Sequence, residues 1–188
     1  FEKAITIKPD YAEAFNNLGI TLKELGQLDS AITSYQKAIA IKPNYIEAHY
    51  SLGTAFHELE QLDTAVKNYE QVLTINPDLV EAHNNLGFTL QELGQLNAAV
   101  KSYEKALAIR PNYAEAHNNL GNALYDLGQH DAAVKSYEKA IAIKPDFADT
   151  HNNLGIVLKE LKQLDAALKS YEKAIAIKPD HVEAHNNL

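Results

Sequence analysis

Histidine is the residue type in this 188-residue chain with the widest chemical reach, and there are eight of them. An imidazole can ligate zinc or exchange a proton near neutral pH. Five of them, His49, His83, His117, His151 and His185, stand 34 residues apart. Carboxylates keep the same step at Glu13, Glu47, Glu81, Glu115, Asp149 and Glu183, as do the serines Ser102, Ser136 and Ser170. Such groups could serve acid–base or nucleophilic catalysis only if unlike members met at one point. The motifs that would bring them together are missing: the chain has no Gly-rich phosphate loop, Gly-x-Ser-x-Gly elbow or His-Glu-x-x-His run. It has no cysteine, hence no thiolate metal site and no disulfide. A group repeated five or six times at one step belongs to a repeated element, so the elements decide what it can do.

That step governs the whole chain. Pro9, Pro43, Pro77, Pro111, Pro145 and Pro179 keep it, as do Gly19, Gly53, Gly87, Gly121 and Gly155, and Tyr35, Tyr69, Tyr103, Tyr137 and Tyr171. A fixed period in the range of roughly 20–50 residues means a stacked array whose single units cannot bury their own apolar faces. Within one period, Ala14, Phe15, Leu18, Gly19, Leu22 and Leu25 fall at helical spacing, and after Gly26-Gln27 so do Ala31, Ile32, Tyr35, Ala38 and Ile39. Asp29 is expected to cap the second helix. The Asp or Asn after each proline (Asp10, Asn44, Asp78, Asn112, Asp146, Asp180) is expected to cap the next first helix. Proline stops the second helix by excluding its predecessor from the α region. A mid-helix glycine costs roughly 1 kcal/mol against alanine, so Gly19 and its equivalents imply close helix contact, with Ala31 and its equivalents as the expected small partners. The expected fold is all-α, a right-handed α-solenoid of antiparallel helix pairs.

Packed helices lie roughly 8–10 Å apart, whereas zinc ligands lie ~2 Å from the metal. Five histidines spread one per unit therefore cannot share an ion, and neither metal nor cofactor is expected. With 17 Lys+Arg against 25 Asp+Glu, a net charge of −8 argues against nucleic acid. No apolar run approaches the ~18 residues of a membrane span.

The unit His83-x2-Leu86-Gly87-x2-Leu90, Ala99-x3-Tyr103, Pro111 resembles the tetratricopeptide repeat, whose pattern is Trp-x2-Leu-Gly-x2-Tyr, Ala-x3-Phe, Pro. The resemblance covers the whole chain. It divides the sequence into complete repeats 12–45, 46–79, 80–113, 114–147 and 148–181. Flanking them are a partial repeat 1–11 (the end of a second helix) and a partial repeat 182–188 (the start of a first helix). Departures are His or Phe for Trp, Leu or Phe for the first Tyr, and Tyr for Phe, each keeping a bulky group. The repeated histidine occupies the Trp position, a helix-packing slot. Fragmentary ends and the lack of methionine suggest a cut from a longer array, with end-to-end stacking at high concentration.

In the resembled family the first helices line a concave ligand groove. Glu13, Asn17, Ile20 and Glu24 share one stripe of that helix. Its amide slot is filled by Asn17, Asn85, Asn119 and Asn153, with a preceding asparagine at Asn16, Asn84, Asn118 and Asn152. Tyr50 replaces the latter in the second repeat. An amide donates and accepts, so such a ladder can pair with any extended backbone. It is similar to the asparagine ladder in the repeat superhelix of O-linked N-acetylglucosamine transferases. The carboxylate clamp of co-chaperones fits less well, because it wants Lys or Arg where this chain has Glu13, Glu47, Glu81, Glu115, Asp149 and Glu183. Amide capacity also exists at Asn122.

Most basic residues fall on second helices, such as Lys37, Lys67, Lys101 and Lys135. The groove is therefore expected to be acidic and to favour a neutral or basic extended peptide or protein segment. Variable slots on a constant frame (Ile20, Thr54, Phe88, Asn122, Ile156) suggest selectivity, with Tyr50, Phe88 and Tyr125 as aromatic pockets.

The expected function is a protein–protein interaction scaffold, not an enzyme. Two alternatives stand beside it: a substrate-recruiting arm of a larger enzyme such as a glycosyltransferase, and a self-associating structural array. The absence of a leader segment and of cysteine points to the cytoplasm.

Overall fold

The structure, a computed structural model, describes residues 10–188. The partial repeat expected over 1–11 falls almost wholly outside the described residues. All regular structure among the described residues is α-helix, with no strand. The chain forms two compact units, divided between Leu93 and Gly94.

The first unit contains α1 (Ala12–Glu24), α2 (Leu28–Ile41), α3 (Ile46–Glu58), α4 (Leu62–Ile75) and α5 (Val80–Glu92). The second contains α6 (Leu96–Ile109), α7 (Ala114–Asp126), α8 (His130–Ile143), α9 (Ala148–Glu160), α10 (Leu164–Ile177) and α11 (Val182–Asn187). First helices of 13 residues alternate with second helices of 14. Helices this short are marginal alone in water, and packing holds them. Each helix packs on its sequence neighbour within its unit. The core between them is rich in alanine and tyrosine, such as Ala31, Tyr35, Ala38, Ala48, Ala55 and Ala65 in the first unit, and Ala99, Ala116, Ala133 and Tyr137 in the second. No helix among the described residues is long and apolar enough to cross a membrane.

Gly19, Gly53, Gly121 and Gly155, inside their first helices, do make a close contact, but not with alanine. A Cβ built on Gly19 would lie 2.5 Å from Tyr35 Cε1, and one on Gly121 would lie 2.5 Å from Tyr137 Cε1. The helix gives up its side chain there to admit the face of a buried phenol ring. Ala31, fully buried, fills a different point of the same interface.

Helix ends also depart from expectation. The residues at the N-caps are Tyr11, Tyr45, Leu79, Tyr113, Phe147 and His181 for first helices. Glutamine (Gln27, Gln61, Gln95, Gln129, Gln163) stands there for second helices. Among the described residues only His181 caps with its side chain, accepting from the Ala184 N–H at 3.4 Å. Asp10, Asn44, Asp78, Asn112, Asp146 and Asp180 lie one residue too early to cap. Asp29 lies in the first turn of α2, where its charge suits the helix dipole without closing an N–H.

A side-chain tie crosses the turn before these first helices. His49 Nε2–H donates to the Pro43 carbonyl at 2.8 Å, and His83, His117, His151 and His185 do the same to Pro77, Pro111, Pro145 and Pro179. The repeated histidine therefore packs and also satisfies a turn carbonyl. A cation–π contact stands over several of the same turns: Lys42 on Tyr45 at 4.4 Å, Lys144 on Phe147 at 4.6 Å and Arg110 on Tyr113 at 5.2 Å. First helices close at their other end with a reversal. Gln27 N–H donates to Leu22 O and Gly26 N–H to Lys23 O, with Gly26 at φ +73°. Glu60 and Lys162 hold the same left-handed position without being glycine, at φ +57° and +62°.

Candidate functional site

The first helices present two kinds of asparagine. Asn16, Asn84, Asn118 and Asn152 are buried, at 4–8 % exposure, and belong to helix packing. Asn118 Oδ1 accepts from the Thr150 hydroxyl at 2.9 Å, and Asn152 Oδ1 accepts from Asn187 Nδ2 at 3.0 Å, so these amides couple successive first helices. The following residue faces outward: Asn17 is exposed, and Asn85, Asn119 and Asn153 are half-buried. A one-residue step turns a helix by about 100°, which is why adjacent asparagines take different roles.

Several outward amides already have partners in the protein. In the first unit, Asn85 Nδ2 donates to the Tyr50 hydroxyl at 2.8 Å. In the second, Asn153 Nδ2 donates to Asn122 Oδ1 at 3.1 Å, and the same oxygen accepts the Tyr137 hydroxyl at 2.8 Å. Asn118 Nδ2 points to Asn119 Oδ1 at 3.3 Å. These bonds hold the outward amides in place.

The aromatic residues are placed separately. Tyr50 meets Tyr69 edge-on, ring centres 5.9 Å apart. Burial pushes the Tyr69 phenol well above its ordinary range, with the nearby Tyr50 adding to this and the Asn85 amide opposing it. Phe88, 43 % exposed, lies against His57 with centres 5.3 Å apart. Tyr125, in the second unit, stacks on His130 at 5.4 Å and 24°. Each of these rings rests on a neighbour of its own unit.

Several acidic slots have lysine or imidazole neighbours that the sequence does not imply. Lys23 Nζ lies 2.7 Å from Glu58 Oε1, and His57 Nε2 lies 2.8 Å from Glu92 Oε2. Glu115 has Lys144 at 3.6 Å, and Asp149 has the buried His181 at 3.1 Å. Glu81 is half-buried on α5. The pairings of Lys23 with Glu58 and His57 with Glu92 escape a search for spacings of three and four. Their signal is a spacing of one period plus one residue, which Tyr50–Asn85 and Asn152–Asn187 share.

Among the described residues no group of three or more His, Asp or Glu is arranged to hold a metal ion. The serines Ser102, Ser136 and Ser170 donate to carbonyls four residues back in their own helices, a bond that occupies their hydroxyl hydrogens.

This geometry has close counterparts among solved structures. YrrB, described as a TPR protein with an unusual peptide-binding site, superposes with a TM-score of 0.80 at 26% identity, covering 98% of this chain and 95% of that one. MamA superposes at 0.81 and 27% identity, over 88% and 96% of the two chains. MamA of Desulfovibrio magneticus RS-1 shares the fold at 0.84, with 22% identity over 90% and 96%. No curated protein sequence matches the chain. Family signatures for the TPR repeat match residues 21–60, 53–94, 91–128 and 121–162. Signatures for the tetratricopeptide repeat match 1–33 and 148–181. The period, the paired helices, the glycine that admits a tyrosine ring and these matches agree: the chain belongs to the tetratricopeptide-repeat family.

Proposed function

We propose that this protein is a protein–protein interaction scaffold without catalysis of its own, binding an extended polypeptide segment across the exposed side of its first helices. One observation carries the reading. The outward amides Asn85, Asn119 and Asn153 are half-exposed, while their neighbours Asn84, Asn118 and Asn152 are consumed in packing. Amides held in place by Tyr50 and Asn122 bind backbone at a lower entropic cost than free side chains. Variable residues beside them (Ile20, Thr54, Phe88, Asn122, Ile156) supply side-chain discrimination. YrrB, similar in fold at 26% identity, is described as having a peptide-binding site, which supports the same class of ligand here.

A neutral or basic ligand is favoured. Glu13, Glu47 and Glu115 are exposed along the same helices, and the chain's net charge is −8.

The test is a peptide-library screen at low and high salt against the wild type and the Asn85→Ala/Asn119→Ala/Asn153→Ala triple variant. Extended hits whose affinity falls about tenfold or more in the variant match the expected loss of several charge-free hydrogen bonds. Hits indifferent to the triple change would move the site elsewhere. An absence of hits with concentration-dependent assembly would favour self-association.

A further inference from the structure

On the first unit, α1, α3, α4 and α5 enclose a cleft of about 250 Å³. That is smaller than the roughly 300–1,000 Å³ of small-molecule sites, and suits one side chain of a longer ligand. Three rings line it: His57 of α3, Tyr69 of α4 and Phe88 of α5. Lys23, Thr54, Glu58 and Asn85 complete it. We infer that this cleft takes one uncharged aromatic side chain of the bound segment, stacked on Phe88. The inference rests on the proposal that the first-helix side binds polypeptide.

The polar walls define the occupant by what they already have. Lys23 Nζ lies 2.7 Å from Glu58 Oε1 and donates to the Thr54 hydroxyl at 3.4 Å. The Thr54 hydroxyl in turn donates to the Ser51 carbonyl at 2.8 Å. Asn85 Nδ2 donates to the Tyr50 hydroxyl at 2.8 Å. The two charged walls cancel, so a charged side chain entering the cleft finds no free counter-charge. An apolar group, by contrast, covers walls that bond one another without stripping them of their partners, which is the step that makes polar burial costly. Glu58 keeps 47 % of its side chain open, which leaves its carboxylate room to stay hydrated.

Phe88 supplies the attraction. It leaves 43 % of its surface open beside the cleft, and His57 rests on it with ring centres 5.3 Å apart at 33°. Covering that surface is favourable for any apolar occupant. A ring gains more than an aliphatic group of equal size, because aromatic pairs at such separations attract beyond the area they bury. The slot holds Ile20, Thr54, Asn122 and Ile156 in other repeats, so the ring is a property of this position and not of the repeat framework.

The experiment is an amide NMR titration of the full chain with short Gly/Ser/Thr peptides carrying one central phenylalanine, cyclohexylalanine, alanine, lysine or glutamate. The phenylalanine peptide is expected to bind about tenfold tighter than the alanine one, the effect of burying one large apolar side chain. It should bind about threefold tighter than cyclohexylalanine, which has the size without the π face. Lysine and glutamate should do no better than alanine. The largest shifts should fall at Thr54, His57 and Phe88, with NOEs between the peptide ring and the Phe88 ring. Phe88→Ala should erase the preference for phenylalanine. Thr54→Phe, which places in this slot a residue it already carries at Phe88, should fill the cleft and do the same, while Glu138→Gln on α8 should leave the preference in place. If Phe88→Ala loses helix content, Thr54→Phe and the NOEs decide. Equal binding of phenylalanine and alanine, equal binding of phenylalanine and cyclohexylalanine, or strongest binding of lysine or glutamate overturns the aromatic subsite and leaves the groove reading standing. If no peptide shifts any first-helix amide, the groove reading fails first and takes this one with it.

Discussion

Tyr137 donates its hydroxyl hydrogen to Asn122 Oδ1 at 2.8 Å, reaching from α8 to the outward side of α7. The equivalent Tyr171 is also buried, and its hydroxyl oxygen has no hydrogen-bond partner. Two tyrosines in the same structural slot thus differ in what meets the phenol. Tyr137→Phe is expected to lower stability by about 0.5–1.5 kcal/mol, the net worth of a buried hydrogen bond. Tyr171→Phe, which removes a buried polar atom with no partner, should be neutral or stabilising. Urea midpoints of the two variants, compared side by side, check the contrast. Equal losses would mean that Asn122 contributes nothing to the ring's placement.

The glycine opposite that ring makes a separate expectation. Alanine favours helix over glycine by about 1 kcal/mol, so Gly121→Ala would stabilise an isolated helix. Here its Cβ would meet Tyr137 Cε1 at 2.5 Å, and overpacking of this kind costs about 1–3 kcal/mol. The thermal midpoint should therefore fall. A rise would show that the ring can move aside.

Adjacent asparagines should respond differently. Asn118→Ala leaves the fully buried Thr150 hydroxyl without its acceptor, at an expected cost of about 1–3 kcal/mol. Asn119→Ala, half-exposed, should change stability by less than about 1 kcal/mol while weakening peptide binding. Chemical denaturation together with a binding titration separates the two effects, and identical behaviour would contradict the division of labour between them.

The left-handed positions offer a gain. Lys162, at φ +62°, closes the end of α9 where Gly26 closes α1. A side chain in that region is strained by roughly 1–2 kcal/mol, against the entropy that glycine loses on folding. Lys162→Gly is therefore expected to raise stability by about 0.5–1 kcal/mol. The same substitution at Lys173, inside α10, should lower it.

Acid should loosen the fold. Burial holds the His117 imidazole below its ordinary value, and Lys139 pushes the same way, while the bond to the Pro111 carbonyl opposes them. Its Nδ1 is buried with no partner, so a second proton there is disfavoured. The unfolded chain then binds more protons than the folded one as pH drops below the ordinary histidine value. This contribution to stability is whole above that value and declines as pH falls through the lowered folded value. His117→Gln, which keeps an N–H for Pro111 without titrating, should flatten the denaturation profile between neutral and mildly acidic pH. An unchanged slope would assign the acid response to other groups.

The period made the fold readable: Pro43, Gly53 and Tyr69 at their fixed steps imply helix pairs, and helix pairs are what the structure contains. Finer assignments failed where a choice depended on a single residue of offset. Asn44 looks like a cap by type, yet the helix starts two residues later and Tyr45 takes the position. Gly19 signalled close packing, but small residues suggested Ala31 when the ring of Tyr35 was the partner. Asn84 and Asn85 read alike until the helix turns one inward. Pairs such as Lys23–Glu58 join neighbouring repeats, and only the stacking of one repeat on the next brings them within 2.7 Å.

The histidine-to-proline bond has a consequence beyond holding a turn. His117 and Pro111 are six residues apart, so donor and acceptor travel together in any stretch of 34 codons that spans the turn. Unequal crossover between two such stretches of a gene would lengthen or shorten the protein by whole units without orphaning a carbonyl at any junction. A turn that depended on a partner in the next unit would not survive that exchange. Local closure of this kind lets the number of units change by recombination while each such turn keeps its own bond.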